Sequence, residues 1–340
     1  METKGKVLVT GVNGFFGSHI AKLLLERGYL VRGTVRDKTN KAKLASLKSL
    51  PSPQNLELYE ADLLSSSDLE KAIEGCDHVM HVAAPVIMEG DESKIVKPAV
   101  EGTKSVMEAA IKHKVKTVIL TSSVIAVVNC EVSKVLNEDD WPNMDKPQAV
   151  YTKAKTLSER IAWDIYNKIP KENKLKFVVI NPGFTLGPTM TETPFHSGDV
   201  IRGAMDGTLK EVPKLYYAIG DVRDVALAHV RALEKPEADG QRYICFSGGY
   251  LWAEDIIKII KDEFEQYGYK IDVKTLDECP DKEPGSYLGT RWGKTFELTN
   301  EKIKKDLGME FTKPKDSAIA MGYSMIAQGL VPDLIKKHVA

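Results

Sequence analysis

The chain has 340 residues, 43% of them hydrophobic and 28% charged, which is enough for one large domain or two ordinary ones around a sizeable core. Forty-seven Lys+Arg against 48 Asp+Glu leave a formal net charge of -1, so no global field draws nucleic acid or an anionic membrane, and neither is expected as a partner. Cys76, Cys130, Cys245 and Cys279 are dispersed without a Cys-x-x-Cys pair or a His cluster, and read as buried free thiols with no metal site. No apolar stretch reaches the ~18 residues of a membrane span, and "METKGKVLVTG" enters a strand directly, so a soluble cytoplasmic protein is expected.

In chain order, strands are predicted at Lys6–Thr10, Tyr29–Val35, Leu56–Tyr59, His78–Val82 and Thr117–Leu120, each a short run rich in apolar or β-branched residues. Between them, Gly17–Arg27 carries Ile20, Leu23 and Leu24 at helical spacing and stops at Gly28. Ser67-Asp68-Leu69-Glu70 has the form of a capping box, and Pro98–His113 carries Val100, Thr103, Met107 and Ala110 on one stripe. A helix over Tyr151–Tyr166, a strand over Phe177–Ile180 and a helix over Ala253–Phe264 follow. Nearly unbroken apolar strands alternating with helices imply an α/β fold, a doubly wound parallel sheet of Rossmann type covered on both faces. The expected division is a dinucleotide-binding domain over 1–188, with later strands contributed by about 215–247, and a mainly substrate-binding region over 189–340.

The stretch "TGVNGFFGSHIAKLL" sets Gly11, Gly14 and Gly17 where the first strand hands over to a helix. A dinucleotide site needs a tight turn, backbone that meets pyrophosphate without an intervening Cβ, and close helix-on-strand packing, and glycine serves each need. Gly11, Asn13, Gly14, Phe15, Phe16 and Gly17 are therefore candidates to hold the cofactor phosphates on backbone N–H groups at a helix N-terminus. The alternative is a plain helix-packing turn. At the end of the second strand, "RGTVRD" puts Val35 where an NAD enzyme places a ribose-binding acid, and Arg36 follows. A guanidinium rewards a 2′-phosphate with bidentate contacts, which favours NADP(H); Asp37 beside it leaves NADH use open.

Tyr151 and Lys155 stand four apart in "AVYTKAKTLSERIAW" and so share one helix face, while "TSS" at Thr121–Ser123 ends the fifth strand. Carboxyl ends of strands form the ligand crevice of such a sheet, which brings the hydroxyls and the Tyr-Lys pair to one place. Carbonyl reduction needs hydride at carbon and a proton for oxygen. Tyr151 is the candidate general acid, Lys155 the ammonium that steadies its phenolate, and Ser123 a donor to the developing oxyanion, with Ser122 the second choice. His78 and His81 lie three apart on a strand, on opposite faces, and do not chelate one metal.

The G-x-x-G-x-x-G spacing together with "GVNGFFGSHIAKLLLERGYLVRGTVRD", "HVAAPV", "VKPAVEGTKSVMEAA", "YTKAKTLSE" and "INPGFTLGP" resembles the extended short-chain dehydrogenases/reductases. Within them it looks like the dihydroflavonol reductase and cinnamoyl-CoA reductase branch, with its many aldehyde and ketone reductases. The resemblance runs from Lys6 to about Pro188 and more weakly to "LTNEKIKKDLGMEF". It implies that Arg36 and Lys43 grip the 2′-phosphate, although a solvated helix charge explains Lys43 as well. It further implies that Asp62, with Leu63, contacts adenine; that Val82, Ala83, Ala84, Pro85 and Thr121 line the cofactor; and that Pro182 and Gly183 form the nicotinamide-side turn. The branch signature N-W-Y-C-Y-x-K is replaced here by "QAVYTKAK", which disfavours CoA thioesters. The expected function is NADPH-dependent reduction of a small-molecule aldehyde or ketone. The competing expectations are an NAD-dependent sugar-nucleotide epimerase or dehydratase and a non-catalytic NADP(H)-sensing regulator; monomer and homodimer stay equally open.

Overall fold

The computed structural model of the chain describes residues 4–40, 43–83, 90–128, 130, 133–192 and 195–336. Seven strands form its central sheet: β1 (Lys6–Val9), β2 (Leu30–Val35), β3 (Leu56–Glu60), β4 (His78–His81), β5 (Thr117–Thr121), β6 (Lys176–Pro182) and β7 (Gln241–Cys245). They lie in the order β3-β2-β1-β4-β5-β6-β7, and every pairing is parallel. The strands read as unbroken apolar runs because both faces are covered. Val7, Val9, Ile119, Val178 and Ile180 pack on one side, and their chain neighbours Leu8, Val118, Leu120, Phe177 and Val179 on the other.

Helices α1 (Phe15–Glu26) and α5 (Val222–Glu234) cover the first face, while α2 (Ser66–Ile73), α3 (Glu92–Lys112) and α4 (Val150–Lys168) cover the second. Two helix starts differ from the sequence reading. The α2 N-cap is Ser65, whose hydroxyl accepts from the Asp68 amide at 3.3 Å, two residues before the box at Ser67. The α3 N-cap is Asp91, with its carboxylate on the Ser93 amide at 3.0 Å, so Pro98 lies inside the helix and not at its first turn. A good cap seven residues upstream outweighs the single backbone hydrogen bond that the proline removes. Of the cysteines, all expected to be buried, Cys76 and Cys245 are buried whereas Cys130 and Cys279 are half-buried.

Strand order reverses between β1 and β4, which opens a crevice beyond their carboxyl ends. After β6 the chain turns at Gly183, where an added Cβ would sit 2.3 Å from the Ala218 carbonyl, and enters a three-stranded sheet. There Phe184–Leu186 pairs parallel to Tyr216–Asp221, and Tyr250–Trp252 pairs antiparallel to the same strand. The helices His196–Asp206, Ala253–Phe264 and Pro314–Ala327 pack on it around Ile201, Met205, Ile256, Ile260, Phe264 and Met321. This second lobe stands over the carboxyl ends of the central strands, through Phe15 and Tyr151.

Candidate active site

The three glycines have three distinct reasons. Gly11 has φ +66°, a left-handed conformation, and a Cβ there would meet that of Ala83 at 2.8 Å. A Cβ on Gly17 would lie 2.3 Å from the Gly11 carbonyl oxygen, so only glycine lets α1 start this close to β1. Gly14 is the N-cap of α1 and supplies no side-chain cap, and no acid lies in the first turn, which leaves the positive end of the helix to backbone N–H groups. This is a cradle that side chains would fill, and it fits a dinucleotide pyrophosphate.

Thr10 ties the turn to β4. Its hydroxyl oxygen accepts from the Val82 and Ala83 amides, both at 2.9 Å, so its proton is left for His81 Nδ1 at 3.1 Å. His81 is neutral, pulled down to about 4 by burial and by the nearby Lys155 charge. Thr34 at the end of β2 accepts from the Gly11 amide at 2.9 Å. Phe15 stacks on Phe195 of the second lobe, with ring centroids 4.0 Å apart, and Thr191 donates to the Asn13 carbonyl at 2.9 Å. Phe16 packs at the edge of the same cluster.

Arg36 is exposed just past β2 and makes no ion pair among the described residues. Asp37 does not neutralise it. Its carboxylate accepts from the Thr39 hydroxyl at 2.6 Å and the Thr39 amide at 2.7 Å, and these bonds hold its pKa below the usual value. Lys43 is exposed too, near enough to Asp37 to act on its carboxylate. Asp62 is exposed, accepts from the Leu64 amide at 3.0 Å, and precedes the half-buried Leu63. Ala84 and Pro85 lie outside the described residues. A recess of about 520 Å³, counting the open solvent at its mouth, lies between the ends of β4 and β5 and helices α3 and α4, lined by Leu63, Ala83, Gly102, Thr121 and Lys155 among others. Pro182 closes β6 and Gly183 follows, packed against Ala218.

At the end of β5 the Ser123 hydroxyl accepts from the Ile125 amide at 3.2 Å and lies near enough to the Tyr151 phenol to act on it. Burial raises Tyr151 to about 12, with the Ser123 hydroxyl opposing. Lys155, one turn along α4, donates to the Thr121 carbonyl at 3.3 Å; burial lowers its pKa to about 8 and the Glu159 carboxylate opposes that. Ser123 and Tyr151 are therefore neighbours, and Lys155 is anchored beside them on the sheet. Ser122 points elsewhere, donating to Glu159 at 2.6 Å.

Matched against models of known families, residues 7–245 fit the NAD dependent epimerase/dehydratase family. The chain belongs to that family. Its relatives include cinnamoyl-CoA reductase 1 of Arabidopsis thaliana, 37% identical over 92% of this chain and 86% of that protein. Another is a bifunctional dihydroflavonol 4-reductase/flavanone 4-reductase of Malus domestica, 30% identical over 96% and 92%. Among solved structures, Gre2 in complex with NADPH from Candida albicans superposes with a TM-score of 0.79 at 26% identity, over 95% of this chain and 98% of that one. Like these relatives, the chain is an extended short-chain dehydrogenase/reductase.

Three features of this family member escape a reading of its sequence. Glu159, fully buried, accepts from Ser122, from Asn181 at 2.9 Å, from Trp163 at 3.2 Å and from the buried Arg242, while Asn181 also donates to the Ser123 carbonyl at 3.1 Å. The network fixes the backbone that carries Ser123. His229, pulled down to about 4 by burial, gives its Nδ1 proton to Val225 and so accepts at Nε2 from the Thr121 hydroxyl at 2.7 Å. Arg291 and Tyr287, from a short helix of the second lobe, meet Tyr151: the two tyrosine rings are edge to face at 6.5 Å. A buried glutamate one turn after Lys155 is a faint signal in sequence; the other two lack any, since their partners come from distant elements.

Proposed function

We propose that this chain reduces a small-molecule aldehyde or ketone to the alcohol, with Tyr151 as general acid, Ser123 as donor to the carbonyl oxygen and Lys155 as the supporting cation. The chain is an NADP-dependent oxidoreductase; NADPH, when bound, supplies the hydride. The observation that carries the reading is the gathering of Ser123 and Tyr151 at the crevice end of β5, close enough for the hydroxyl to act on the phenol, with Lys155 one helical turn away. The glycine turn and the unpaired Arg36 fit a phosphorylated dinucleotide, and the relatives' names and the NADPH held by Gre2 support the same class.

Tyr151 is protonated at neutral pH and ready to give its proton to a carbonyl oxygen placed within reach of Ser123. Ser123 donates to that oxygen as negative charge grows on it. Phenolate left on Tyr151 is costly in so buried a site, and the Lys155 ammonium offsets part of that cost. A free carbonyl is favoured over the thioester named for the Arabidopsis relative, because "QAVYTKAK" stands in place of the branch signature. The family's epimerase and dehydratase chemistry has less support: the apolar Val124 and Ile125 follow Ser123, where dehydratases of this fold put acids.

The test is NADPH oxidation by purified protein against aldehydes and ketones, with Tyr151→Phe alongside. The substitution is expected to lower turnover by ~10²- to 10⁴-fold while NADPH binding, read by its fluorescence, is retained. Undiminished turnover would show that Tyr151 is not the acid.

A further inference from the structure

The molecule buries two guanidinium groups, Arg242 and Arg291, each 7% exposed, and treats them differently. Arg242 has a built-in counter-charge, the fully buried Glu159. Arg291 has none: among the described residues no carboxylate comes within ion-pair distance of it. One of its terminal nitrogens donates to the Tyr287 hydroxyl and the other to the Tyr216 carbonyl at 3.0 Å, both neutral acceptors; among the described residues its Nε hydrogen has no hydrogen-bond partner, and Tyr217 and the half-buried Cys130 thiol also act on its charge. The rings of Tyr287, Tyr217 and Phe296 lie 5.1, 5.7 and 5.8 Å from its central carbon.

Aromatic faces and two neutral acceptors offset only part of what burying a charge costs, and a guanidinium cannot escape by shedding its proton, as a lysine would. The position of this unmatched cation is informative. Arg291 and Tyr287 are four apart on one short helix, and the Tyr287 ring stands edge to face against that of Tyr151. The cation is therefore one aromatic ring from the reacting phenol and comes from the second lobe, whereas Lys155 is bonded to the central sheet.

We propose that Arg291 is the anion-recognition residue of the substrate site, so that the preferred carbonyl substrate carries a carboxylate. The incoming group supplies the counter-charge that Arg242 has in Glu159 and that Arg291 lacks among the described residues, and with its two terminal nitrogens engaged by Tyr287 and Tyr216, Nε is the donor left for that group. This inference rests on the reading of Tyr151 as the reacting group, and its test separates the two.

The probes are 4-oxobutanoate and its methyl ester, reduced by the NADPH-loaded enzyme. A charge-assisted hydrogen bond of ordinary strength gives the carboxylate a kcat/KM advantage of ~10- to 100-fold in the wild type, and in Arg291→Met that ratio falls to about one. An ester reduced as well as the acid in the wild type overturns the proposal. So does a Met variant that loses both substrates equally, since that is a packing or phenol-tuning role. Should Arg291→Met fail to fold, or should no carbonyl turn over, binding of butanoate against butanamide to the NADPH-loaded wild type decides: tighter butanoate supports the proposal, and equal binding overturns it.

Discussion

Lys155 is held in a place that works against its charge. Burial brings its ammonium down to about 8, and only Glu159, one turn along α4, pushes back. A lysine with a lowered pKa is cationic below that value and neutral above it, so in the proposed mechanism its support of a Tyr151 phenolate is present at neutral pH and lost as pH rises through about 8. Tyr151 itself keeps its proton up to about 12, so it does not titrate first. The kcat/KM for carbonyl reduction is therefore expected to fall about tenfold per pH unit above 8, followed at constant ionic strength; a profile flat to pH 10 would separate Lys155 from the reaction. The sequence singles out Tyr151, Lys155 and Ser123 as candidates because motif spacing and strand ends place them. It missed Arg291 because Tyr216, Tyr217 and Tyr151, the groups that give it meaning, sit 74 or more positions earlier in the chain.

Among the elements, the β1-to-α1 handover is the one where single atoms decide the geometry. Adding a methyl group at Gly17 forces a clash with the Gly11 carbonyl, backbone against backbone, so nothing flexible can yield. Gly17→Ala is expected to destabilise the fold by ~1–3 kcal/mol, as overpacking does, and to weaken NADPH binding, read by thermal melting and fluorescence titration. An unchanged melting temperature would mean that α1 can slide along β1. The strands and this helix were readable in the chain because runs buried on both faces are apolar throughout and glycine punctuates the handover. The start of α3 was not, because Pro98 mimics a first-turn proline while the true cap, Asp91, follows Gly90 in a polar stretch that reads equally as loop.

For the whole molecule the dividing line between nucleotide and substrate halves is not a cut in the chain. Strand β7 and helix α5 come from the second half, yet β7 pairs with β6 over five residues and α5 packs beside α1 over Val178 and Ile180. A fragment of residues 1–188 would lose the α5 half of that face's cover and expose the edge of β6. It is expected to show no cooperative thermal transition by circular dichroism, whereas the full chain melts in one; a fragment that melts cooperatively would make 1–188 a domain in its own right. Of the stretch near 215–247 that the sequence reading gives to the dinucleotide-binding domain, Gln241–Cys245 pairs with β6, whereas Tyr216–Asp221 lies in the three-stranded sheet, since an apolar run carries no address of its own.

The stack of Phe15 on Phe195 joins the phosphate-side turn to the lobe that meets the substrate, one ring from each. Protein engineers who reshape that lobe to accept a different compound will, on this account, also be adjusting how firmly the coenzyme is gripped. Substrate scope and coenzyme economy in this enzyme are tuned by one screw.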